Sequence, residues 1–106
     1  MVSRKMLCLT IRIKKNDELH GAGKKLEKVL LDFLLQAGVS GATVWTGVNG
    51  FGKRGTSIVR LEGLAINMPM MIEVIDEKET LEPLLPQIKH MVGDNGLVTL
   101  HEVQVL

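Results

Sequence analysis

The sequence predicts an α+β domain with elements in the order β-α-β-β-α-β, its two helices on one face of a four-stranded antiparallel sheet. Three observations carry this. Apolar residues alternate with a period of two over Met6 to Ile13, and Leu97 to Val105 reads as a strand at the other end. Two segments between them repeat apolar residues at the three-and-four spacing of a helix. The chain has 106 residues, 45% hydrophobic and 24% charged, enough for one core.

The first strand spans Met6 to Ile13, where Leu7, Leu9, Ile11 and Ile13 alternate with Met6, Cys8, Thr10 and Arg12. A polar loop, Lys14 to Gly23, follows. Lys24 to Ala37 reads as an amphipathic helix burying Leu26, Val29, Leu30, Phe33, Leu34 and Ala37, with Gly38 placed to end it in the left-handed conformation. The second strand is Ala42 to Val48, rich in β-branched residues around Trp45.

The stretch from Val48 to Pro69 reads as a long insertion. A structureless loop of about twenty residues is unusual in a compact domain. The expectation is therefore an irregular, flexible tip at Gly50–Gly55 and a partly paired return arm at Ser57–Ile66. The third strand is Met70 to Ile75. Asp76 and Glu79 then read as the D-x-x-E start of a capping box. The second helix buries Leu81, Leu84, Leu85, Ile88, Met91 and Val92, with Pro83 in its first turn and Pro86 as an obstacle to its ladder. Gly93-Asp94-Asn95-Gly96 is a turn, and Leu97 to Val105 is the last strand. With right-handed crossovers this order gives the split-βαβ, ferredoxin-like sheet, and the chain reads as a single domain over 1–106.

Composition narrows the function. Net charge is +1, so a bulk nucleic-acid binder is not indicated. Residues 1–60 hold eleven Lys/Arg against four Asp/Glu, and residues 61–106 hold two against eight, which leaves scope for one basic edge. One cysteine, Cys8, excludes an internal disulfide. No signal peptide and no apolar run of about 20 residues is evident, so the expected location is cytoplasmic with no membrane insertion.

The helices cover one face of the sheet. The opposite face is expected to carry Met6, Cys8 and Thr10 with Thr43, Trp45, Met71 and Ile75, too apolar a surface for water. Packing of sheet against sheet in a homo-oligomer is the expectation, with cover by the 57–66 arm as the alternative.

The main candidate site is the glycine-rich loop, with Gly47, Asn49, Gly50, Phe51, Gly52, Lys53 and Arg54 as the binding set. Glycines permit close backbone approach, and successive amides make a nest for an anion. Lys53 and Arg54 supply charge, and the planar fork of arginine suits phosphate or carboxylate. The spacing is neither a Walker A motif nor a dinucleotide fingerprint. The bland alternative is a hairpin tip kept soluble by its cations. Gly21 to Lys25 is a weaker candidate: two lysines oppose the dipole at the start of the first helix, which an anion would relieve, but solvated lysines are the preferred reading. His20, His90 and His101 have no metal-ligand spacing with Cys8 or one another, so no metal is expected. Cys8 reads as a structural thiol, and Glu73 and Asp76 as rim and cap residues. No nucleophile–base set is evident, so the chain is not expected to be an enzyme.

Gly41-Ala42-Thr43-Val44, then Gly47-x-x-Gly50-Phe51-Gly52, then Pro69 opening a strand that ends in Asp76, and finally Gly96-Leu97-Val98 resemble an uncharacterised PII-like family, domain of unknown function family one hundred and ninety. The resemblance covers nearly the whole chain. It implies a PII-like homotrimer with ligand clefts between subunits. It makes 48–69 the counterpart of the PII T-loop, which docks on a partner protein. It also makes Gly93-Asp94-Asn95-Gly96 the counterpart of the phosphate-binding B-loop, adding Gly93, Asp94 and Asn95 to the site. The implied ligand is a small anionic metabolite or nucleotide, with no tightly held cofactor. Leu97 stands where PII proteins carry a lysine, and with no tyrosine in the chain the PII site of uridylylation has no equivalent.

Two other classes share the topology. An RNA-binding module would need stacking aromatics on the sheet, where this chain offers Trp45. An acyl-phosphate or phosphate-ester hydrolase would cradle phosphate after the first strand, where the loop lacks arginine.

Overall fold

The computed structural model describes residues 2–21, 23–52, 55–59, 65–66, 68–94 and 96–106, with 55–59 and 65–66 as backbone. The strands are β1 (Arg4–Lys14), β2 (Thr43–Thr46), β3 (Asn49–Gly52), β4 (Gly55–Val59), β5 (Ala65–Ile66), β6 (Pro69–Asp76) and β7 (Leu97–Val105). The helices are α1 (Leu26–Gln36), α2 (Lys78–Leu81) and α3 (Leu85–Val92), with 3-10 turns at Leu19–Gly21 and Glu82–Leu84. The main sheet runs β2-β6-β1-β7, every pairing antiparallel. This is the ferredoxin-like arrangement that the element order predicts.

The period of two in β1 sets the core. Leu9, Ile11 and Ile13 point at the helices and are buried with Ile72, Val74 and Met70 of β6. Leu26, Leu30 and Leu34 of α1 and Leu81, Ile88, Met91 and Val92 of the second helical segment close over them. Val29 and Phe33 pack at the margin of this core, whereas Ala37 is exposed. Gly38 takes φ 80° and ends α1 as its sequence position requires.

The second helix is not one helix. Pro83 sits in the first turn of the 3-10 segment and Pro86 in the first turn of α3. A proline lacks the N–H that an interior ladder needs, so each starts a new short piece where that N–H has no partner to lose.

The capping box at Asp76 does not form. Glu77 occupies the cap position of α2, and its carbonyl accepts the N–H groups of Thr80 and Leu81. The Asp76 carboxylate is engaged elsewhere: it accepts the Ser40 N–H at 2.8 Å and the Glu77 N–H at 2.7 Å, and the Ser40 hydroxyl donates to the Ile75 carbonyl. Asp76 is thus a buried clasp between the end of β6 and the loop leaving α1.

The insertion is also more regular than expected. Asn49, Gly50, Phe51 and Gly52 pair with Ile58, Ser57, Thr56 and Gly55, and β4 then pairs with β5. Gly50 and Gly52 therefore lie in a strand rather than in an irregular tip. The ladder brackets Lys53 and Arg54, which lie outside the described residues.

The register places Met6, Cys8, Thr10, Met71, Glu73, Ile75, Thr43 and Trp45 on the face away from the helices, joined by Leu97, Thr99, His101 and Val103 of β7. Cys8 and Thr10 are buried because they lie on a central strand between bulky neighbours. Trp45 (53%), Leu97 and Ile75 remain exposed.

Candidate functional site

The base of the arm and the 93–96 turn lie at the same end of the main sheet. Gly47 leaves β2 beside Pro69, donating its N–H to the Pro69 carbonyl at 2.8 Å. A Cβ on Gly47 would stand 2.6 Å from the Pro69 ring, so this exit admits no side chain without a shift. Beyond it Asn49 is exposed, and Phe51 stands 92% exposed on β3.

The turn is built differently. Gly93 caps α3 with φ 62° and ψ −146°, a region essentially reserved for glycine. Its N–H is spent on the Lys89 carbonyl at 2.9 Å, so an anion here would meet the later amides of the turn. Gly96 is pressed against β1: a Cβ there would lie 2.6 Å from both the Arg12 carbonyl and the Val92 Cγ1. Asp94 is exposed, and Asn95 lies outside the described residues.

Two cations flank this turn. Lys89 Nζ donates to the Gly93 carbonyl at 3.3 Å. Arg12 pairs in register with Leu97, and its side chain is exposed there. Neither is in the candidate set read from sequence. Lys89 had a signal, a cation in the last turn of a helix that ends in glycine. Arg12 had none until the topology set β1 next to β7.

Among the described residues the two halves do not meet within one chain. Gly47 leaves the β2 edge and Gly96 enters the β7 edge, with β6 and β1 between them. Three interstrand spacings separate the edges by roughly 14 Å.

The other residues singled out in the sequence fall into place. Gly21 and Gly23 take positive φ, and Lys25 caps α1 without a side-chain bond. Lys24, Lys25 and Lys28 border a groove of about 680 Å³ over Val29, Phe33 and Met91, on the helix side. Glu73 lies on the open face and Asp76 on the core face, so they are not an acid/base pair. The Asp76 carboxyl is held below the usual carboxylate range, first by the Ser40 backbone N–H, with burial opposing and the Glu77 N–H, the Ser40 hydroxyl and Arg4 adding to it. Among the described residues no group of three potential metal ligands is assembled, and no helix is long and apolar enough to cross a membrane.

Comparison with known proteins agrees with this architecture. A UPF0166 protein of Aquifex aeolicus is 35% identical over 109 residues, covering 100% of this chain and 96% of its own. CPII of Thiomonas intermedia K12, a nitrogen regulatory PII-like protein, superposes with a TM-score of 0.73 at 24% identity in a structure bound to ADP, AMP and bicarbonate, covering 98% of this chain and 91% of that one. Its structure with ADP and bicarbonate gives 0.71 at 26%, with the same coverage. A putative PII-like signaling protein of Thermus thermophilus superposes at 0.64 with 18% identity, covering 100% and 94%. The family model DUF190, "Uncharacterized ACR", matches residues 6–105, and the chain belongs to that family, with a fold close to PII-like proteins.

Proposed function

We propose that this chain is a regulatory, non-enzymatic PII-like protein. It assembles as a homotrimer through the open sheet face, takes an adenine nucleotide or a small anion between subunits, and signals through its 48–69 arm to a partner protein. The observation that carries this is the division of the site. The arm base and the 93–96 turn share one end of the sheet but lie on opposite edges, so a neighbouring copy is what brings one chain's turn to another's arm. The open face supplies the contact, since Trp45, Ile75 and Leu97 leave apolar area exposed there. CPII is bound to ADP and bicarbonate in the structure that is 26% identical to this chain, which supports this ligand class. Arg12 and Lys89 replace the charge that Leu97 does not offer, and a nucleotide bound there would fix the arm, an order–disorder switch.

Sedimentation and calorimetry test the proposal together. The expected results are a trimer mass and heat on titrating ADP or AMP, weakened about tenfold by Arg12→Ala, the loss of roughly one charge-assisted bond. A monomer that ignores ADP, AMP and bicarbonate would overturn it.

A further inference from the structure

The fold brings together two histidines that lie 70 positions apart in the chain. His20 lies in the 3-10 turn Leu19–Gly21 and His90 in α3, and their ring centres are 5.1 Å apart with planes tilted by 52°. Two imidazoles bound to one tetrahedral ion, each nitrogen ~2.0–2.1 Å from the metal, have ring centres roughly 5 Å apart. His20 takes φ 48° and ψ 32°, which makes it the one non-glycine residue with positive φ among the described residues. That conformation carries a backbone cost, and it holds the ring against α3. Beside the pair is a polar cleft of about 470 Å³, lined by His20, Glu18, Gly93 and Asp94. Both imidazoles are exposed, so an ion can enter without desolvating a buried site.

We infer that His20 and His90 form a two-imidazole chelate for a borderline divalent transition metal such as Ni²⁺ or Zn²⁺, beside a cleft that borders the 93–96 turn at Gly93 and Asp94. Imidazole favours these ions, whereas Mg²⁺ and Ca²⁺ prefer all-oxygen shells. No third ligand is assembled among the described residues, so water fills the remaining positions, or Glu18 or Asp94 turns in. The ion would clip the 3-10 turn to α3, three residues before Gly93.

The test is titration of Ni²⁺ and Cu²⁺ into tag-free, metal-stripped protein. One ion per chain is expected, with Mg²⁺ silent. His20→Gln and His90→Gln should each weaken Ni²⁺ at least tenfold, while His101→Gln, on the open sheet face, leaves it unchanged. Melting curves without metal check that each variant folds. Electron paramagnetic resonance of Cu²⁺ on the unaltered chain gives an independent reading, and nitrogen couplings from two imidazoles are expected. Absence of Ni²⁺ and Cu²⁺ binding, coupling from fewer than two imidazoles, or affinity insensitive to either substitution in a folded variant would overturn the inference. Nucleotide binding is untouched by that result.

Discussion

The two walls of the proposed site are anchored in opposite ways. The 93–96 turn is fixed to the body of the domain: Gly93 adopts a conformation closed to other residues, and Gly96 lies against the Arg12 carbonyl. The arm pairs with itself, β3 to β4 to β5, in a sheet separate from the main one. Its glycines at 50 and 52 have open space where a Cβ would stand. Glycine therefore means two things in one chain. At 93 and 96 it is demanded by backbone conformation and close approach, whereas at 50 and 52 the described structure places no such demand on it.

Substitutions break this comparison in order of size. Gly96→Val forces a branched side chain against backbone and should cost about 3 kcal/mol in urea unfolding, the upper end for overpacking. Gly93→Ala, which must adopt a glycine-only conformation, should cost about 2 kcal/mol in the same measurement. Asp76→Asn leaves the Ser40 and Glu77 N–H groups competing for one oxygen and should cost about 1–2 kcal/mol at neutral pH. Because the folded carboxyl titrates below its unfolded value, its stabilisation is complete above the ordinary aspartate range and is lost as pH falls through the folded pKa. The variant's stability should therefore converge on that of the parent in acid. Gly50→Ala and Phe51→Ser should change stability by less than about 0.5 kcal/mol. A large loss at either would show that the arm is packed on the body after all.

The layout of the fold was legible because the signals were local. Alternation in Leu7–Ile13 set the face of β1, and Gly38 marked the end of α1. The misread elements depended on pairing partners that the local pattern does not name. Asp76 looks like a cap until Ser40, 36 residues earlier, takes its carboxylate. Gly50 and Gly52 look irregular until β4 pairs with them, since cross-strand pairing rather than intrinsic preference decides a strand. The candidate site was legible in part. The turn's glycines announced themselves, but Arg12 joined them only through the β1–β7 register, and His20 met His90 only through the packing of its turn on α3.

Pro83 and Pro86 bear on the cooperativity of unfolding. Residues 78–92 are divided into pieces of four, three and eight residues, none long enough to hold helical structure in water by itself. Their helicity is borrowed from the sheet on which Leu81, Ile88 and Met91 rest. Far-ultraviolet dichroism and the fluorescence of Trp45, the lone tryptophan on the main sheet, should therefore report one coincident unfolding transition. Separate midpoints would mean that the segment folds without its support.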